Sequence, residues 1–201
     1  FCSYKYLIMC LSSKQILALQ SLKGFGKVTI NKILDHSVET SFVGDDQALY
    51  LFIQDYLIKN KVRVTCPNYL EFEHAIDCAK KIVDISYAKG VSIISRFDPQ
   101  YPKQLHVTID ETGKLDIPVL IHCKGNIDAL KVPGIAIIGT REPTIAGSKA
   151  AEFFGYEFAK AGFNVVSGLA LGCDSFAHHG ALNVGGITTA VLAGGLDHIY
   201  P

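Results

Sequence analysis

IAIIGTREPTIAGSKAAEFFGYEFAKAGFNVVSGLALGCDSFAHHGALNVGGITTAVLAGGLDHIYP, residues 135–201, decides the fold of this chain. Three short apolar runs rich in β-branched residues stand in it, at 135–138, 163–166 and 188–192, each followed within two residues by glycine. Continuous runs of this kind suit strands buried on both faces of a parallel sheet. Between them lie two stretches of helical length, 148–161 and 174–183. The alternation predicts an α/β, Rossmann-like doubly wound parallel sheet, which binds anionic ligands at the turns that follow its strands.

The first turn reads Ile138-Gly139-Thr140-Arg141 and runs through Pro143, Gly147 and Ser148 into the helix. Gly139 lets backbone approach a ligand with no Cβ in the way, and the helix start offers free N–H groups and a positive dipole end to a phosphate. Arg141 adds a planar, permanently charged fork suited to phosphate oxygens. The G-x-G-x-x-G fingerprint is absent, and no acidic residue caps the second strand, which ends in Val166-Ser167-Gly168. A nicotinamide or flavin is therefore not expected, and no other cofactor is.

The second turn is Ser167-Gly168-Leu169-Ala170. Adjacent parallel strands set their C-terminal turns side by side, so the Ser167 hydroxyl and the Gly168 amide are expected to donate to a phosphate beside Arg141. Asp174 is placed to N-cap the next helix. Cys173, Asp174, His178 and His179 are metal-ligating types, but neighbours on a helix point about 100° apart, so the two histidines cannot face one ion. A structural role is expected for them, and no metal.

No Ser-His-Asp set, paired carboxylates, CxxC or HExxH stands out, and Ser167 lacks the G-x-S-x-G context of a nucleophile elbow. A binding protein is expected, not an enzyme. Two alternatives stay open: a Rossmann-type nucleotide-binding protein and a nucleotide hydrolase.

The chain has 201 residues, 49% of them apolar, enough to bury a core in one or two domains. Nineteen acidic residues balance nineteen basic ones, so contact with a polyanion has to come from a local patch. The cysteines at 2, 10, 66, 78, 123 and 173 are scattered without metal spacing and read as reduced cytosolic thiols. The apolar piece 6–11 is too short to span a membrane, and no signal peptide is expected.

The first 90 residues read as a different object, a small all-helical domain. A helix at 15–20 is followed by Leu22-Lys23-Gly24-Phe25-Gly26-Lys27 and by a second helix carrying Ile30, Ile33 and Leu34 at helical spacing. Gly-apolar-Gly between short helices resembles a helix-hairpin-helix, in which turn amides and a lysine, here Lys23 or Lys27, grip a DNA backbone. Helices are also predicted over 46–59 and, N-capped by Asn68, up to Lys89, with an extended piece at 62–65 between them. Tyr101 and Phe97 are expected to pack inside, and Phe153, Phe154, Tyr156 and Phe158 to be mainly core. The α/β domain is expected over 91–201.

GTREPTIAG (139–147), VVSGLALGCDSFAHHGAL (165–182) and GGITTAVLAGGLDHIYP (185–201), in that order and spacing, resemble the DprA/Smf family of DNA-processing proteins. SIISRFDPQYPKQL (92–105) and IPVLIHCKGNIDAL (117–130) extend the likeness upstream. The resemblance implies a cytoplasmic single-stranded-DNA-binding protein that protects incoming DNA and loads RecA recombinase in natural transformation. It implies a homodimer in the full-length protein and an N-terminal domain of helix-hairpin-helix or SAM-like type. Gly139, Thr140, Arg141, Ser167, Gly168 and Leu169, with Lys23 and Lys27, are the DNA-binding candidates. The likeness runs on past Pro201, so the chain is expected to be a piece of a longer protein. Its first strand, 135–138, would then be an open apolar edge, with 118–123 as candidate cover.

Overall fold

The structure is a computed structural model that describes residues 11–197 and Ile199. Cys2, Cys10 and all of the piece 6–11 except Leu11 lie outside the described residues. The chain divides into two compact units, one ending at Gly125 and the other beginning at Asn126.

The first unit opens with four helices, and local capping chemistry sets where they start. α1 (Ser13–Ser21) begins at a capping box between Ser12 and Gln15. α2 (Lys27–Glu39) follows the Gly26 turn. At the head of α3 (Asp46–Lys59), the Asp45 carboxylate accepts from the Ala48 amide at 2.9 Å. α4 (Tyr69–Ala88) starts with reciprocal bonds between Asn68 and Glu71. Such caps satisfy amides that the first helical turn leaves without partners. Ile16, Leu19, Ile30, Ile33, Leu34, Leu49, Ile53 and Phe72 close into one core. The piece 62–65 forms no strand; Val62 and Val64 pack against that core instead.

β1 (Val91–Ser95) and β2 (Leu120–Lys124) pair antiparallel, with Val91 opposite Lys124 and Ser95 opposite Leu120. They belong with the helices, so the division falls at 125/126 and not at 90/91. The reason is long-range bonding: the Ser13 hydroxyl donates to the Ile93 carbonyl at 3.1 Å, and Arg96 holds Asn31 and Asp35 of α2. Val119, Leu120 and Phe97 join the helical core. Tyr101 is buried as expected, and its hydroxyl donates to the Pro118 carbonyl at 2.6 Å. Burial pushes that phenol up to about 12.

The second unit carries the parallel sheet. β3 (Gly134–Ala136), α5 (Ile145–Lys160), β4 (Asn164–Ser167), α6 (Cys173–Asn183) and β5 (Thr188–Ala190) alternate as predicted, and the strands lie in the order β3-β4-β5. All pairs are parallel. Two right-handed crossovers advancing in one direction put both helices on the same face of the sheet. The helices touch closely: a Cβ added at Gly155 would strike the Ala177 carbonyl, and one at Gly180 the Glu152 carbonyl.

That crossing explains where the aromatic side chains go. The buried stripe of α5 consists of Ala151, Gly155 and Ala159, small enough to let α6 approach. Phe153 and Phe154 were expected in the core but are exposed, Phe153 by 57%. Among the described residues, only β4 is buried along most of its length, because it alone has a strand on each side. β3 is an edge strand among the described residues, and Ile138 beyond it is 77% exposed. β2, which takes up most of the candidate cover 118–123, pairs with β1 inside the first unit.

Candidate functional site

Three turns leave the same end of the parallel sheet, and between them lies a cleft of about 230 Å³. Arg141 from the first turn, Gly168, Ala170 and Leu171 from the second, and Leu192 to Gly195 from the third line it. The first turn stays attached to the sheet beyond β3: the Ile137 amide donates to the Val166 carbonyl at 2.9 Å. The third does likewise, through the Val191 amide and the Ser167 carbonyl at 2.9 Å.

Arg141 is exposed and has no acidic partner among the described residues. The amides of Gly139, Thr140 and Arg141 find no acceptor among the described residues either. Thr140 shapes the turn, its hydroxyl oxygen accepting from the Glu142 amide at 3.2 Å. Gly139 and Gly172 serve close approach. A Cβ at Gly139 would sit 2.7 Å from Cys173 Sγ, and one at Gly172 would strike the Thr140 carbonyl. The start of α6 is thus pressed onto the first turn, and the Cys173 amide donates to the Thr140 carbonyl at 3.1 Å.

Two of the expected phosphate donors are already spent inside the protein. The Ser167 hydroxyl is buried and donates to the Ile137 carbonyl at 2.6 Å. The Gly168 amide donates to Asp174 Oδ2 at 3.0 Å. Asp174 is not the N-cap of α6; Gly172 holds that position. Its carboxylate reaches back to the amides of Gly168 and Ala170 instead, the latter at 3.4 Å. Leu169, between those amides, is held at φ 60°, where a side chain is normally strained. Ser175 adds a second tie through its hydroxyl to the Ala170 carbonyl at 2.7 Å.

His178 is buried against the sheet. The Thr188 hydroxyl donates to the Val165 carbonyl at 2.8 Å, so its oxygen accepts from His178 Nδ1–H at 2.6 Å. Burial pulls the imidazole below its ordinary value, a neighbouring Asp174 carboxylate opposes this, and His179 adds to it. His179 is exposed. Among the described residues no three metal-ligating side chains converge.

Lys23 and Lys27 belong to the first unit and do not line the cleft. Lys27 is ion-paired with Asp116, and the Asn31 side chain one turn on donates to the Ile117 carbonyl at 2.9 Å. Lys23 remains the exposed cation of that hairpin turn. Sequence reasoning missed the third turn, although Gly194-Gly195 directly after an apolar run was the available signal.

The sequence profile of the family described as DNA recombination-mediator protein A matches residues 92–201. Protein Smf of Synechocystis sp. is 38% identical over 117 residues, 56% of this chain. DNA processing protein DprA of Streptococcus pneumoniae is 44% identical over 86 residues, and that of Bacillus subtilis 35% over 114. The chain covers 28%, 30% and 36% of the length of these three proteins respectively. The X-ray structure of the S. pneumoniae protein superposes with a TM-score of 0.67 at 28% identity, covering 96% of this chain and 62% of that one. No helix among the described residues is long and apolar enough to cross a membrane.

Proposed function

The chain belongs to the DNA recombination-mediator protein A family, and from that premise we propose that the three turns at the end of its parallel sheet bind single-stranded DNA. The single observation that carries this reading is Arg141, an exposed guanidinium on the cleft wall without an acidic partner among the described residues, in a turn whose amides at Gly139, Thr140 and Arg141 find no acceptor among the described residues. A guanidinium and convergent backbone N–H groups are a phosphate-binding combination. The curated relatives are named as DNA-processing proteins, which points the phosphate toward a nucleic acid.

The protein acts in this reading as a binder and not as an enzyme. The side chains lining the cleft, one guanidinium with glycine, alanine and leucine, suit holding a ligand. Transfer of the bound strand to RecA recombinase during natural transformation, in the cytoplasm and as a homodimer of the full-length protein, completes the proposal. The anchoring step is testable by itself. Arg141→Ala is expected to weaken oligo(dT) binding by about 1–3 kcal/mol and to lower the slope of log K against log salt by roughly 0.7. Unchanged anisotropy titrations would remove Arg141 from the site.

A further inference from the structure

We propose that α4 carries half of a zinc site, and that the same two residues of a second copy of this chain complete it. His74 and Cys78 stand one turn apart on α4, and Cys78 Sγ lies 3.5 Å from His74 Nε2. Zinc–sulfur and zinc–nitrogen bonds of about 2.3 and 2.0–2.1 Å, opened to a tetrahedral angle, set those two atoms about 3.5–3.6 Å apart. The pair is thus already at the separation that one ion requires. Thiolate with imidazole is a donor set that suits zinc and not the hard, oxygen-seeking cations. His74 is exposed and Cys78 half-buried on the surface of the helix, so an ion can reach both.

A closed zinc site takes four protein ligands. Among the described residues no three metal-ligating side chains converge, so one chain supplies two. The spacing around them suits a partner with the same sequence. Leu70, His74, Cys78 and Ile82 follow one another at four-residue steps, which places them in one row along the helix. The row is symmetric about position 76. A second α4 running antiparallel across that point sets His74 against Cys78 and Leu70 against Ile82. Leu70 is 74% exposed and Ile82 44%, and this pairing covers both. It also brings Glu71 of one copy beside Lys81 of the other, whereas a parallel pairing would oppose each charge with its own kind.

Charge and protons balance in such a site. Each Cys78 thiol gives its proton to solvent as its bond to zinc forms, and the two thiolates neutralise the ion. Each His74 binds as neutral imidazole through Nε2.

The test uses this chain in reducing buffer, freed of metal with a chelator, and reads its molar mass by light scattering with and without zinc chloride. Zinc is expected to double the mass at one ion per two chains, and the chelator to reverse it. Cobalt in its place is expected to show the visible absorption of a tetrahedral thiolate site. Cys78→Ser and His74→Gln, both at the helix surface, are expected to keep the helical fold and lose the doubling. Ile82→Asp keeps all four ligands and is expected to raise the zinc concentration needed by about tenfold. An unchanged mass, with or without bound zinc, overturns the shared site. So does a Cys78→Ser variant that still doubles, or a doubling that the chelator does not reverse. An Ile82→Asp variant that pairs as the parent does overturns the antiparallel seam.

Discussion

Asp174 Oδ2 accepts from two amides at once, Gly168 and Ala170, and so fixes the residue between them in a left-handed conformation. Leu169 pays no glycine's entropy for that shape, but it carries strain on the order of 1–3 kcal/mol that the carboxylate has to hold. Asp174→Ala is therefore expected to destabilise the second unit by about 1–3 kcal/mol in urea unfolding, and Asp174→Asn, which keeps an oxygen acceptor, to recover part of it. An alanine variant as stable as the parent would show that the turn holds itself. Single-residue chemistry of this kind was only half legible in the sequence. Asn68 announces its helix because its partner lies three residues away. Ser167, Gly168 and Lys27 were read as ligand donors because their actual partners, Ile137, Asp174 and Asp116, become neighbours only through folding.

At the scale of elements, periodicity located α5, α6 and the three strands of the parallel sheet, but neither the short 3-10 helix at Ile127–Lys131 nor what each α-helix presents to its neighbours. An apolar count favours Phe153 and Phe154 for burial, whereas the crossing of α5 and α6 is decided by Ala151, Gly155, Ala159 and Gly180, where absence of side chain is what matters. Backbone this close cannot admit a methyl without moving one helix. Gly180→Ala is expected to lower the stability of the second unit by about 1–3 kcal/mol or more, read as a shift of its urea midpoint. Retention of the parent midpoint would mean that the helices separate at little cost. β3 and β5 are shorter than the apolar runs predict, since a run of apolar residues does not reveal how many neighbours a strand will have. β3 and β5 each pair on one side only among the described residues, and their outer ends, Ile138 and Val191, are exposed.

The whole molecule carries two cores of very different size. The first unit buries an extended set of large side chains from Leu11 to Val119, whereas the second is centred on Ala159, Val165, Ala177 and Ala181. The family-scale reading of sheet, turns and helical domain was legible because motif spacing survives in the chain; the division at 125/126 was not, because it depends on contacts such as Arg96 to Asp35. The second unit also buries His178, whose folded value lies below its unfolded one because burial disfavours the charge. The unfolded chain then binds the extra proton first, so stability is full above about pH 6.5 and falls as pH drops below it. The fall stops once the folded histidine protonates as well. The second unit is expected to lose up to about 1.4 kcal/mol per pH unit in that window, and His178→Gln to flatten the loss. A parent protein whose second unit is equally stable at pH 7 and pH 5 would contradict this.

The staple between Ser167 and the Ile137 carbonyl has a mechanical meaning as well. Any force applied at the Arg141 side chain enters the sheet through the few residues joining that arginine to β3. Pulled along the strand axis, the staple, the Ile137 amide bond to Val166 and the β3–β4 ladder share the load in shear and must yield together. Pulled sideways, away from β4, the same bonds open one after another like a zip. On the proposal that Arg141 anchors DNA, the direction of pull decides whether that anchor behaves as rigid or as compliant.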